Sequence, residues 1–126
     1  ILSVEITDHM AEVLKVQLAF IATTSPEGVP NVGPKGSIGV YDHTALVFDE
    51  TTGGTTLNNI QEGSPVMIAV VDRAWKNGYR FTGRTEILDA GDIFTDRVQA
   101  RADRGKAAQI CSVLVHVDKV STFRPV

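Results

Sequence analysis

Two short polar stretches carry the residue types best suited to holding a ligand. The first, Asn31-Val32-Gly33-Pro34-Lys35-Gly36-Ser37, falls inside what otherwise reads as β-strand yet offers almost no side chain suited to packing. Its lysine, hydroxyl and two glycines would give an anion or a flat heterocycle access to backbone amides, one way for a β-domain to hold a nucleotide without a P-loop. A kinked edge strand would use the same residues. The second stretch runs from Gly53 to Asn59. If a helix starts at Thr55, its first amides and positive dipole end meet an anion, with the Thr55 and Thr56 hydroxyls as further donors and Lys35 as counter-charge. That set suits a phosphate, although the threonines also read as ordinary helix caps and Lys35 as a solvated charge.

The elements that must position these stretches follow from local pattern. Thr7 or Asp8 caps a first helix with Met10, Val13 and Leu14 on one side, ending near Gln17. Leu18 to Thr24 is an apolar strand that stops at the turn Ser25-Pro26-Glu27-Gly28. Its return strand starts at Val29, passes through the first polar stretch, resumes as Ile38 and Val40, and turns at Asp42-His43-Thr44. Ala45 to Phe48 runs back, Asp49 to Gly54 is a loop, and Thr55 to Glu62 is a short helix stopped by Gly63-Ser64-Pro65. Val66 to Val71 is apolar at every position, which predicts a central strand covered on both faces. Asn77-Gly78 predicts a type I′ hairpin turn leading into Tyr79 to Leu88. A helix starting at Asp89 to Asp92 carries Phe94, Val98 and Ala102 at helical spacing and ends at Gly105, and a last strand, Ile110 to Phe123, is interrupted near Asp118.

The expectation is a mainly β, antiparallel fold of about six strands closed into a barrel, with about three short helices, in one domain spanning 1–126. The βαβ alternation of a parallel nucleotide fold is missing, as are its glycine fingerprints. A net charge of −3 with interspersed signs provides no basic face for nucleic acid. No apolar run approaches the roughly 20 residues of a membrane-spanning helix and no signal-peptide pattern opens the chain, so a cytoplasmic location is the expectation. Cys111, the sole cysteine, lies in an apolar run and reads as buried and inert. His9, His43 and His116 have no carboxylate or thiol at ligand spacing, so no metal site is expected.

The order of these pieces resembles a known family. A helix, an apolar strand ending in Ala22-Thr23, a Pro-Glu-Gly turn, Val-Pro-Asn-Val-Gly-Pro-Lys-Gly-Ser, then Thr-Leu-Asn-Asn-Ile before Ser-Pro-Val, and later Gly-Tyr-Arg-Phe-Thr-Gly-Arg, are similar to the pyridoxamine 5′-phosphate oxidase-related FMN-binding split barrels. The likeness extends over roughly residues 7 to 123 and is nearest to the small flavin-binding and flavoredoxin-like members. It implies a split barrel, one FMN per subunit at the interface of a homodimer, and redox chemistry carried by the flavin towards a small substrate or redox partner. It also implies that Gly33, Pro34, Lys35, Gly36 and Ser37 contact the flavin and its phosphate, with Thr55, Thr56 and Asn59 as the second ligand segment. The chain lacks the oxidase's Arg-rich phosphate and substrate clusters, which argues against pyridoxamine phosphate oxidation. Arg80 and Arg84, on one strand face, would reach the phosphate, the partner subunit or only surface partners, and Trp75 would stack on a ring, cap a dimer seam or pack internally. A non-enzymatic flavin or nucleotide module for storage or sensing, and a deazaflavin- or haem-binding relative, are the competing readings.

Overall fold

The computed structural model describes residues 4–125. The first helix, α1 (Asp8–Val16), is capped by Thr7, whose hydroxyl accepts the Met10 amide at 3.2 Å, and it buries Val13 and Leu14. Asp8 in its first turn and Lys15 in its last suit the helix dipole. Then come β1 (Ala19–Thr24), β2 (Pro30–Lys35), β3 (Gly39–Asp42), β4 (Ala45–Glu50), α2 (Thr55–Gln61), β5 (Val66–Asp72), β6 (Asn77–Leu88), α3 (Gly91–Asp103) and β7 (Cys111–Thr122).

All pairings are antiparallel, in the order β2-β1-β5-β6-β7-β4-β3. The strand expected to run from Val29 to Val40 is therefore two strands, and the described residues form seven rather than six. Lys35 is the last residue of one sheet edge and Gly39 the first of the other. Four residue steps span at most about 14 Å, so the sheet must curl until its edges nearly meet. Among the described residues no ladder joins them, and the barrel is split where Gly36, Ser37 and Ile38 cross. Inside it lies a cluster that includes Ile21, Phe48, Ile68, Phe81, Val113 and Val115, each essentially inaccessible.

Three local expectations are corrected. Among the described residues, β5 is covered on one face only: Val66, Ile68 and Val70 point into the core, while Met67 and Val71 stay exposed beside Phe20 and Val32 of the neighbouring strands. The sheet's middle position belongs to β6. The strand buried at every residue is β4, which the sequence pattern ends at Phe48 but which continues through Asp49 and Glu50. The third correction concerns Asn77-Gly78, which lies in β6 paired with Asp72 and Val71 instead of forming a turn. The Asp72 carboxylate accepts the Ala74 and Trp75 amides and Lys76 takes φ +56°, so the reversal occurs upstream. Asn77 instead uses its side-chain oxygen to hold the Phe123 and Arg124 amides, each at 3.1 Å.

Gly78 is needed for close approach, because a Cβ there would overlap the Val70 carbonyl oxygen and the Val71 Cα. Gly78→Ala is expected to destabilise the protein by about 3 kcal/mol, measured by urea unfolding. A loss under about 1 kcal/mol would mean that β6 relaxes away from β5 without penalty. The interruption expected near Asp118 is present as a register shift between Thr82 and Gly83, which leaves Asp118 unpaired in an otherwise continuous β7.

Candidate functional site

The split in the barrel exposes a polar cavity of about 300 Å³. One wall is β2 from Asn31 to Lys35; the other is the end of β4 at Glu50, then Thr52 and Gly54, and the first residues of α2, Thr55 and Thr56. The two polar stretches thus meet across the split. Strand alternation puts Asn31, Gly33 and Lys35 on the same face. Asn31 donates through Nδ2 to the Thr56 hydroxyl at 3.2 Å, which ties β2 to α2.

Lys35 does not reach solvent as a free charge. Its Nζ lies 2.7 Å from Glu50 Oε2, with the side chains 15% and 1% exposed, and 5.6 Å from the centre of the Phe48 ring. Glu50 shares the face of Leu46 and Phe48, so it is a carboxylate closing one end of the core row. Its other oxygen accepts the Thr52 hydroxyl at 3.2 Å and the Gly53 amide at 3.3 Å. A buried charge needs this much pairing.

Of the remaining residues expected at the site, Ser37 and Asn59 hold it from behind. Ser37 sits at the crossing between β2 and β3, and its hydroxyl accepts the Asp49 amide at 3.0 Å, which clamps the crossing to β4. Gly36 and Ser37 do not line the cavity. Asn59 is buried and donates to the Thr23 hydroxyl at 3.0 Å, binding α2 to β1. Pro34 lines the cavity between Gly33 and Lys35. Arg80 stacks on Phe123 at 3.9 Å and Arg84 pairs with Asp118 at 3.2 Å in solvent, while Trp75 packs against the His9 and Tyr79 rings. None of these three lines the cavity.

Sequence reasoning missed the consecutive acids Asp49 and Glu50. Asp49 faces away from Glu50 and is held by Arg97 of α3 through Nε at 2.6 Å and Nη2 at 3.1 Å, and by the Ser112 hydroxyl at 2.9 Å. Two adjacent acids before a polar loop carry no local sign that both will be buried. Cys111 is directly opposite Glu50 in the β4–β7 ladder. Burial, then the Glu50 charge, pushes its thiol up, so it stays protonated and a poor nucleophile.

The lining of this cavity is compatible with the phosphate end of a nucleotide. Gly33 and Gly54 both line it, neither has a positive φ, and a Cβ on either would meet nothing within 4 Å among the described residues. Backbone conformation and packing therefore give no reason for glycine at either place, and the space in front of both is open to a ligand. About 300 Å³ is the small end of the range for ligand pockets, enough for a phosphate and part of a ribityl chain. A longer groove of about 800 Å³ follows the outer face of β1, β5 and β6 past the end of α2, lined by Ala22, Pro30, Ile60, Met67 and Thr82 among others.

A curled antiparallel sheet, split where one segment crosses from edge to edge and with a polar cavity at the split, defines a split β-barrel. The chain belongs to the pyridoxamine 5′-phosphate oxidase family, whose model matches residues 6–120. Over 91 residues it is 30% identical to an uncharacterised protein of Methanocaldococcus jannaschii, a match covering 71% of this chain and 60% of that protein's length. The crystal structure of Group A Streptococcus HupZ is 32% identical with a TM-score of 0.87, covering 94% of each chain. An FMN-binding protein from Syntrophomonas wolfei shares the fold alone, at 14% identity and a TM-score of 0.75, covering 93% of this chain and 85% of that one.

Proposed function

We propose that this protein binds FMN and acts as an oxidoreductase or electron-transfer flavoprotein on a small substrate or redox partner. The observation that carries the reading is the convergence of Asn31–Lys35 and Thr52–Thr56 on one cavity with two glycines facing open space. In this reading Lys35 and the Thr55 and Thr56 hydroxyls hold the phosphate, and the Gly33 backbone lets the ribityl chain lie close to β2. Gly36, Ser37 and Asn59 keep those groups in register through the crossing and through α2. Bound FMN supplies hydride and single-electron transfer, and the protein supplies binding, orientation and exclusion of water. The FMN-binding protein from Syntrophomonas wolfei supports the choice of cofactor through its shared fold.

The flavin lies at the interface of a homodimer in this reading. The exposed apolar side chains Phe20, Val32, Met67 and Val71 on β1, β2 and β5 support that arrangement, since such a patch on a β-sheet gains by being covered.

Titration of the purified chain with FMN, followed by quenching of flavin fluorescence and by shifts in the visible flavin bands, tests the assignment. Gly33→Val places two methyl groups in the open space, and it is expected to weaken FMN binding about tenfold or more while leaving the melting temperature unchanged, since nothing nearby is displaced. Saturable FMN binding that is indifferent to Gly33→Val would move the ligand elsewhere, and no binding at all would end the flavin reading. Turnover of NAD(P)H by the FMN-loaded protein separates an enzyme from a storage or sensing module.

A further inference from the structure

We propose that the Glu50 carboxylate is a resident anion in the cavity, holding the donors that a ligand phosphate needs, and that it sets how strongly the protein prefers a phosphorylated flavin over an unphosphorylated one. The inference rests on the flavin reading of the site and deepens it.

An ammonium, a hydroxyl and a backbone amide converging from different segments are the donor set of a phosphate site. Here that set already has an occupant. Lys35 Nζ lies 2.7 Å from one Glu50 oxygen, and Thr52 Oγ1 at 3.2 Å and the Gly53 amide at 3.3 Å donate to the other. Gly53 adopts φ +67°, a conformation open to glycine at little cost, in the turn that brings its amide to the carboxylate. Among the described residues, Lys35 and Glu50 are the only ionisable side chains lining the cavity, and they pair with each other before a ligand enters.

An incoming phosphate monoester carries roughly −1.5 to −2 charges at neutral pH. To reach Lys35 it must share an ammonium whose hydrogen-bonded partner is a carboxylate that is 1% exposed and poorly screened. Lysine has three N–H donors, so sharing is geometrically available, but it brings two anions onto one cation. A neutral polyol chain lying along the Gly33 backbone meets no such repulsion. The buried acid therefore penalises the phosphate specifically, and its effect is read in the ratio of two affinities.

Glu50→Gln removes the charge and keeps both the shape and an oxygen for Thr52 and Gly53. FMN and riboflavin are titrated separately into the wild-type chain and this variant by fluorescence quenching, with circular dichroism and thermal melting to establish folding. The expected result is an FMN affinity raised about tenfold in Glu50→Gln, with riboflavin changed by less than about twofold. Glu50→Thr, which removes the charge with a smaller polar side chain, is expected to move the ratio the same way and stands in if the glutamine variant does not fold. An unchanged or lowered FMN-to-riboflavin ratio in a folded variant overturns the proposal while leaving the flavin site intact. Failure of wild type and both variants to bind either flavin ends the flavin reading itself, and the role of Glu50 with it.

Discussion

Replacing Lys35 with methionine is expected to cost about 3–5 kcal/mol of folding stability, more than loss of a surface charge would. The reason lies in the partner left behind. Glu50 is 1% exposed, and the Thr52 hydroxyl and Gly53 amide that still reach it are dipoles without a compensating charge. Removing one member of a buried pair leaves the other charge desolvated, which is where most of the penalty arises. Removing both is different: Lys35→Met combined with Glu50→Gln should recover most of the loss, because the double variant buries no net charge. Urea unfolding of the two single variants and the double variant measures the coupling directly. A Lys35→Met loss below about 1 kcal/mol, typical of an exposed pair, would show that water reaches Glu50 in solution.

Asp49→Ala is expected to cost about 2–4 kcal/mol, at and just below the range for breaking a buried pair because Arg97, 26% exposed, can turn to water. Its effect should be concentrated in α3. That helix has no fully buried residue: Phe94 and Val98 of its expected apolar stripe are half-buried, and Ala102 is exposed. It is fastened by the two Arg97 hydrogen bonds to Asp49 on the outward face of β4, backed by Ser112. With little hydrophobic contact to replace this attachment, amide exchange across Gly91–Asp103 should quicken far more than exchange in the β5–β6 and β6–β7 ladders. Asp49→Asn, which keeps an oxygen for Ser112, should fall between wild type and Asp49→Ala. Uniform acceleration across the whole sheet would mean that Asp49 supports the barrel as a whole rather than α3.

Both predictions depend on residues that local sequence patterns passed over, whereas other parts of the fold could be read from the chain directly. Thr7 as a cap, the Ser25-Pro26-Glu27-Gly28 turn and a helix starting at Thr55 depend on chemistry within a few residues. The mainly β, antiparallel character followed from tight turns between apolar runs. The two polar stretches stood out because each interrupts a packing pattern without supplying side chains to pack. Their shared cavity needed the curl of the sheet, which the order β2-β1-β5-β6-β7-β4-β3 imposes when its two edges are joined by three residues.

Where local signals competed, tertiary contacts chose between them. Asn77-Gly78 has the composition of a turn, but Asp72 captured the amides before it and Asn77 was claimed by the chain at Phe123 and Arg124. The apolar run Val66–Val71 has the composition of a strand buried on both faces. Composition cannot say what lies on the second face, and among the described residues Met67 and Val71 remain exposed there.

The sequence by itself determined most of the elements, the antiparallel class and the polar character of the two stretches that meet at the cavity, because these depend on turn chemistry, capping and hydrophobic alternation over short distances. Only the tertiary structure decided that Asp49 and Glu50 are buried on opposite faces of one strand. Burial of a charge depends on where its partner is, and Arg97 is 48 residues away from Asp49 while Lys35 is 15 away from Glu50, across the split between two sheet edges.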